Sequence, residues 1–480
     1  MFWLSRINRL PSSIKIFLSL LALELLTVPA WHWPFLNIII LLLLVGLTFY
    51  LINRKAIYAL YLPLIELVWG AMGHSFSYGF FNLRLVIWLV ILLWFSINLL
   101  SRKFTLKIIK DRKIWYGLLI FFVIILADIL LAFYYQRPLP NILYDANAYF
   151  YLLYLPIWWQ VYDSRYKADI WRLLKITSAF LAVKTLMVFY VFSQGNYIQL
   201  IDFYKWLRDT RWGEITPLPD NFYRIFSQSQ IYLILAWLLV WWQEINFPGR
   251  IKNIFYLVLF SAALLLSLSR SFWLGGAAAF VFLFINILLF NKKILTGRFW
   301  RVVVLVAIIS FSLVLLLYNV PKYHTVNIFG FRSFSGQEPG ISSRQALLSP
   351  MLKAISQAPV FGHGFGYSLT YYSSDPRIKN AANPSGITTT HAFEWGWLDM
   401  FIKGGIILVF GVLWWLILIY WRAYAIIKQN LDYLVCLAVL FGLVLIHVFS
   451  PYLNHPLGLG ILMLITVIIG RGPSNQTAAI

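Results

Sequence analysis

Two arginines and a histidine stand out because their side chains could act on a phosphate and on a hydroxyl group. Arg224 lies in the stretch NFYRIFSQSQIY, and Arg270 ends the run SAALLLSLSR. An arginine has a permanent charge and a planar fork of N–H donors, so it can hold a phosphate through two parallel hydrogen bonds. His391 lies in TTTHAFEW, and an imidazole can accept a proton from an alcohol. The three residues predict a reaction between a phosphorylated donor and a hydroxyl acceptor.

The same residues also have purely structural interpretations. An arginine at the end of a helix can extend to the lipid headgroups, and a loop histidine can serve only as a hydrogen-bonding group. Other histidines fall in similar polar segments, so the residue type alone does not select His391. They are His74, His324, His363 and His455.

Further residues near His391 are candidates for a supporting role. Glu394 follows three positions later, and in a helix its carboxylate would lie one turn on, where it could orient the imidazole. Arg344 and His363 lie in the preceding polar stretch. The run FGHGFG at 361–366 resembles a phosphate-binding glycine loop. It has no preceding strand and no following lysine, so it predicts a tight turn instead.

The sequence does not contain a residue set that is typical of a metal site. It has one cysteine, Cys436, and its histidines are scattered. The polar stretches contain neither an Asp-x-Asp nor a His-Glu-x-x-His pattern. We therefore expect a reaction that needs neither a metal nor another cofactor.

Membrane helices must position these side chains. With 61% hydrophobic and 12% charged residues, and with repeated apolar runs, the chain is predicted to be an all-α polytopic membrane protein, a single integral membrane domain over residues 1–480. Hydropathy predicts about fourteen transmembrane helices. They cover residues 14–30, 35–52, 56–72, 83–100, 114–134, 146–162, 170–193, 225–244, 252–268, 273–290, 301–318, 397–421, 431–449 and 455–470.

The positive charges fall in alternate loops, which predicts the orientation of the chain. The net charge of +22 comes largely from these loops rather than from a nucleic-acid-binding surface, so we expect no nucleic-acid partner. By the positive-inside rule, these loops and both termini are cytoplasmic. The loops contain Arg54/Lys55, Arg102 to Lys113, Arg165 to Lys175, Arg250/Lys252, Lys292 to Arg301 and Arg422/Lys428.

This orientation places the candidate site on one face of the membrane. The 194–224 loop, the turn at Arg270 and the long polar segment 319–396 all fall outside the cytoplasm. The last of these is a large extracytoplasmic loop between predicted helices 11 and 12. A loop of this length in so apolar a chain is rarely a mere connector, so we interpret it as the part that carries the active site.

Some ionisable residues fall inside predicted spans, where an unpaired charge is costly. They are Glu24, Glu66, Asp128 and Lys184. Asp128 and Lys184 are predicted to form an ion pair. A transporter could use such a pair for ion coupling, but structural pairing is the simpler interpretation.

Three stretches of the chain resemble the O-antigen ligase and polysaccharide polymerase superfamily of bacterial membrane proteins. They are NFYRIFSQSQIY, LSLSRSFWLGG, and ISSRQALLSPMLKAISQAPVFGHGFG followed by THAFEWGWLDMFIKGGIIL. The third is the most specific, since it combines an Arg before a short helix, a Pro, a Gly-x-Gly turn and a His before a Gly-rich start of the next span. The resemblance covers roughly residues 220–420.

The resemblance implies an inverting, metal-independent transfer of an undecaprenyl-diphosphate-linked oligosaccharide on the outer face of the inner membrane. It implies that His391 is the base acting on the acceptor and that Arg224 and Arg270 hold the donor diphosphate. The acceptor would be a glycan or a lipid. A chain-length regulator, a flippase and the membrane lipids are the other partners it implies.

Three functions remain open at this point. The number of predicted spans and the long outer loop favour a polymerase of O-antigen or exopolysaccharide. The alternative enzyme is a ligase that moves the glycan to another acceptor. The alternative of another class is a lipid-linked oligosaccharide flippase or a solute transporter, which should line a central cavity with charge and would not need a large one-sided loop.

Overall fold

The computed structural model describes residues 11–107, 112–194, 200–218, 222–290, 297–319, 339–375, 378–427 and 430–472. Helices dominate this part of the chain. The first half contains α1 (Ser12–His32), α2 (Phe35–Arg54), α3 (Tyr58–Trp69), α4 (Leu83–Leu100), α5 (Arg112–Tyr134), α6 (Leu139–Phe150), α7 (Tyr154–Val161), α8 (Lys167–Gln194) and α9 (Ile201–Asp209). The second half contains α10 (Ile231–Asn246), α11 (Ile251–Ser267), α12 (Arg270–Phe290), α13 (Gly297–Asn319), α14 (Pro339–Gln357), α15 (Gly396–Ile427), α16 (Tyr433–Phe449) and α17 (Pro456–Gly470).

Three short antiparallel hairpins interrupt the helices. They pair β1 (Ser77–Tyr78) with β2 (Phe81–Asn82), β3 (Glu214–Pro217) with β4 (Tyr223–Phe226), and β5 (Leu369–Tyr372) with β6 (Ile387–Thr390). The predicted loop 319–396 lies partly outside the described residues, and with it His324. Its described part contains two regular elements, α14 and the β5–β6 hairpin.

Eight of the described helices are long and apolar enough to cross a membrane, and four shorter apolar helices accompany them. An apolar run of this length can span the bilayer as a helix, because a helix satisfies its backbone hydrogen bonds internally. The protein is therefore a multi-pass membrane protein, as the composition predicts. The predicted count of about fourteen spans stays a prediction.

One predicted span is wrong in its shape. The segment 146–162 is not one helix, because α6 ends at Phe150 and a 3-10 turn precedes α7. Pro156 explains the break: it lacks an N–H and disrupts the hydrogen bonding of a helix interior, and here it lies in the first turn of α7, as the third residue.

The predicted ion pair between Asp128 and Lys184 is also wrong. The Nζ atom of Lys184 lies 2.5 Å from Oε1 of Glu24, on α1, and the other oxygen of that carboxylate accepts a hydrogen bond from the indole of Trp69. Glu66 has its own partner, because Nη2 of Arg84 lies 2.9 Å from its Oε1. Pairing inside the helix bundle neutralises charges that would otherwise be costly there.

Helices α12 and α16 approach closely because glycines face each other across their contact. A Cβ atom on Gly275 would overlap the side chain of Ile446 and lie 3.0 Å from the carbonyl oxygen of Gly442. A Cβ atom on the adjacent Gly276 would lie 3.9 Å from the nearest atom, in Ile234. Small residues at a helix contact let two backbones pack tightly in a membrane.

These two glycines provide a matched test of that packing. We expect Gly275→Ala to destabilise the protein by about 1 to 3 kcal/mol, because α12 and α16 must separate to admit the methyl group. Gly276→Ala should leave the protein as stable or slightly more stable, since alanine favours the helix. The unfolding temperature of the detergent-purified variants measures both effects. Equal stability of the two variants would contradict the packing described here.

Candidate active site

Arg224 is fixed to the end of α11 by the β3–β4 hairpin. It lies in β4 opposite Thr216, and its Nε donates a hydrogen bond of 3.0 Å to the carbonyl oxygen of Ser267. Its guanidinium lies 4.6 Å from the ring centre of Phe226. The predicted span 225–244, which would put Arg224 at a helix end, begins too early, because the next α-helix, α10, begins only at Ile231. The hairpin, rather than a helix end, sets the position of this cation.

Arg270 lies on the same turn that Arg224 contacts. It is the first residue of α12, and the turn before it contains Leu268 in the left-handed conformation, with φ at 44°. Ser267, whose carbonyl binds Arg224, lies three positions before Arg270. The structure therefore brings the two predicted phosphate-binding arginines to a single connection between α11 and α12.

His391 lies directly after β6 and before α15. Its ring meets the ring of Tyr144, on α6, edge to face at 5.1 Å between centres and an angle of 88°. The imidazole is half-buried. A half-buried imidazole held by an aromatic edge can still reach a substrate hydroxyl, so the setting is compatible with a base.

Glu394 does not support His391 in the way the sequence suggested. Residues 391–395 are not helical, because α15 begins at Gly396, so the carboxylate is not one helical turn from the imidazole. Glu394 pairs instead with the guanidinium of Arg344, on α14. The indole of Trp395 also donates a hydrogen bond of 3.1 Å to the Arg344 carbonyl. Arg344 and Glu394 thus join α14 to the segment that follows His391.

His363 has a structural environment. Its Nε2 lies 2.9 Å from the Ala354 carbonyl oxygen, and its ring stacks on Tyr367 at 4.2 Å. The FGHGFG run is the predicted tight turn, and its glycines Gly362, Gly364 and Gly366 all have φ between 67° and 78°. Other residues rarely adopt this conformation, which explains the repeated glycines.

The FGHGFG turn packs into a break in α15. Gly405 has φ 63° and ψ −164°, so the helical hydrogen bonds are interrupted there. The turn replaces them: the N–H groups of His363 and Gly364 donate to the carbonyls of Ile402 and Lys403 at 2.8 and 2.9 Å. A side chain on Gly362 would overlap the Lys403 carbonyl. Backbone groups freed by the kink are thus bonded within the protein, as membrane surroundings demand.

A buried cluster of charges lies beside this break. Lys403 Nζ is 2.7 Å from Oδ1 of Asp145, on α6, and 2.6 Å from Oδ1 of Asp399. The second oxygen of Asp145 accepts a hydrogen bond of 2.7 Å from the N–H of Gly366, and Asp399 also accepts one from the amide of Asn454. All three charged side chains are at most 5% exposed. The cluster therefore joins α6, the glycine turn, α15 and the segment before α17.

The 450–455 segment connects the histidine side of the site to the arginine side. The hydroxyl of Tyr452 donates to the Gln228 carbonyl at 3.1 Å, and its ring packs on Phe272, two residues after Arg270. Burial raises the pKa of Tyr452 well above its usual range, although nearby Arg224 acts in the opposite direction. The phenol is thus a neutral donor, fixed between α12 and the 3-10 turn Gln228–Gln230, which follows the β3–β4 hairpin.

The sequence did not single out Tyr144, Asp145, Asp399 or Lys403. A signal was present for one pair, because Asp399 and Lys403 are four positions apart in an apolar stretch, the spacing of an ion pair on a helix. Tyr144 and Asp145 gave no such signal, since they reach their partners only through the packing of α6.

Comparison with known proteins supports the resemblance that the motifs suggested. Residues 255–413 match the model of the O-antigen ligase family. The matched region contains Arg270, Arg344 and His391, whereas Arg224 lies before it. No curated protein and no solved structure matched the chain. The match supports the superfamily of O-antigen ligases and polymerases and, with the membrane helices, a role in surface-glycan biosynthesis.

The charge cluster can be tested by removing its cation. We expect Lys403→Met to destabilise the protein by about 3 to 5 kcal/mol, because two carboxylates then remain buried without a counter-charge. Adding Asp145→Asn should recover part of this loss, since it removes one of them. Lys353→Met, which alters an exposed lysine of α14, is the control. If Lys403→Met unfolds at the same temperature as this control, the cluster does not hold the site together.

Proposed function

We propose that this protein is an inverting, metal-independent glycosyltransferase that moves an oligosaccharide from undecaprenyl diphosphate to a hydroxyl acceptor, and that it polymerises a surface polysaccharide. One observation carries the proposal: Arg270 and His391 both lie within the O-antigen ligase match, and Arg224 binds the turn that holds Arg270. We place the reaction on the outer face of the bacterial inner membrane, with both chain termini in the cytoplasm, from the charge asymmetry of the loops.

In the proposed reaction, the acceptor oxygen attacks the anomeric carbon of the donor glycan. His391 takes the proton of that hydroxyl as the new carbon–oxygen bond forms. The bond between the anomeric carbon and the diphosphate breaks on the opposite face, which inverts the configuration. The undecaprenyl diphosphate leaves with the bonding electrons, and Arg224 and Arg270 stabilise its growing negative charge.

The transfer of a completed glycan to a different acceptor is the second candidate function. The description of the matched family as O-antigen ligase favours it. The long polar segment, with its own helix and hairpin, favours the polymerase. Purified protein given only lipid-linked repeat units distinguishes the two, because a polymerase lengthens them whereas a ligase needs a separate acceptor.

The arginine roles predict a difference between charge and geometry. Arg270→Lys keeps the charge but loses the planar fork, so both Arg270→Lys and Arg270→Ala should weaken donor binding, each by roughly tenfold to a hundredfold. Arg224→Ala should have a similar effect. Arg54→Lys, which alters an exposed arginine at the end of α2, is the control. The Kd for lipid-linked donor gives the answer, and donor affinity equal to that of the control would place the diphosphate elsewhere.

The base role predicts a loss of rate without a loss of donor binding. His391→Ala should reduce transfer by about 10²- to 10⁴-fold, and His391→Gln should not restore it, because an amide cannot accept the proton. His32→Ala, which alters an exposed histidine of α1, should transfer normally. The assay uses purified protein with EDTA present. Near-normal transfer by His391→Ala would show that the histidine is structural.

A further inference from the structure

Arg137 is a cation in an unusual setting between α5 and α6. Its guanidinium carbon lies 5.4 Å from the ring centre of Tyr135 and 4.9 Å from that of Tyr367. Its Nε is buried and makes no hydrogen bond within the part of the chain that the structure describes. No carboxylate among those residues pairs with it, and the side chain as a whole is only half-buried.

Four other half-buried or buried cations of this protein have acidic partners. Arg84 pairs with Glu66, Lys184 with Glu24, Arg344 with Glu394, and Lys403 with two aspartates. Arg137 lies against the faces of two tyrosine rings instead. Tyrosine rings attract the cation, but they do not satisfy its in-plane N–H donors, which favour oxyanions. The contrast indicates that the partner of Arg137 is not among the residues that the structure describes.

The aromatic platform under Arg137 is held in place by neighbouring groups. Tyr367 stacks on His363, whose ring nitrogen is bonded to the Ala354 carbonyl. The FGHGFG turn before Tyr367 fits tightly against the end of α5: a side chain on Gly364 would press on the backbone of Ala132. A guanidinium on such a rigid platform loses little freedom when it binds an anion.

Arg137 lies close to the proposed base. Helix α6 starts two residues after it and carries Tyr144, which contacts His391. At 1.5 Å per helical residue, Tyr144 lies about 7.5 Å along the helix axis from Leu139, the first residue of α6. Arg137 therefore adjoins the histidine side of the site, whereas Arg224 and Arg270 share a different turn.

We propose that Arg137 binds a phosphate group on the side of the site where His391 receives the acceptor. The phosphate contact follows from the setting of Arg137 alone, and its assignment to the acceptor rests on the proposed function. Two sources have this chemistry: a phosphate carried by a lipid-linked substrate, and the headgroup of a bilayer phospholipid. Both present the oxyanion that a planar guanidinium can bind through paired hydrogen bonds.

The first experiment measures the phosphate contact itself. In full-length protein carrying Arg224→Ala and Arg270→Ala, inorganic diphosphate is titrated in neutral detergent. We expect the remaining binding to weaken roughly tenfold to a hundredfold when Arg137→Gln is added, and less when Arg137→Lys is added. Adding Arg54→Gln should change nothing. Circular dichroism establishes that each variant is folded. Unchanged diphosphate affinity in folded Arg137→Gln would overturn the proposal.

The second experiment separates the two sources in otherwise unaltered protein. If the source is a substrate, Arg137→Gln raises the KM for the acceptor and leaves kcat and donor affinity near normal. If the source is the bilayer, Arg137→Gln leaves transfer unchanged and abolishes the extra stability in phosphatidylglycerol over phosphatidylcholine vesicles. A variant that changes neither quantity contradicts the phosphate contact. Full transfer by Arg224→Ala/Arg270→Ala would instead overturn the donor assignment and leave the Arg137 result standing.

Discussion

The buried ion pairs of Lys403 with Asp145 and Asp399 are the interaction on which the candidate site depends. A lone ammonium or carboxylate cannot remain charged in surroundings this apolar, so each member needs the others in place. The members of this cluster and the amide that binds Asp399 come from separate parts of the chain: α6, α15 and the 450–455 segment. The requirement to pair these charges therefore fixes the relative positions of elements that are distant in sequence.

The break in α15 depends on the same interaction. At Gly405 the helix gives up part of its hydrogen bonding, and the FGHGFG turn supplies the missing donors. Asp145 holds the far end of that turn through the N–H of Gly366. As a result, Tyr144 lies against His391, only five residues before α15 begins. These contacts link the charge cluster, the kink at Gly405 and the proposed base to one another.

The sequence predicted the helical membrane architecture because long apolar runs have one stable solution in a bilayer. It also predicted the glycine turn, since this follows from a local pattern of residues, but it did not predict that Arg224 and Arg270 meet at one turn. The predicted partners are wrong where the actual partner is distant in sequence. Lys184 pairs with Glu24 rather than with Asp128, and Glu394 pairs with Arg344 rather than with His391. The packing of helices that are distant in sequence determines which charges meet. For the same reason, the sequence alone did not identify Tyr144 or Arg137 as candidate site residues.

The central claim is that the turn between α11 and α12 holds the donor diphosphate while His391 faces the sugar. The most direct measurement is a structure of the protein with an undecaprenyl-diphosphate-linked oligosaccharide. The account predicts phosphate oxygens within hydrogen-bonding distance of both Arg224 and Arg270, with the anomeric carbon on the His391 side. Phosphates bound away from both arginines, or a sugar remote from His391, would contradict it.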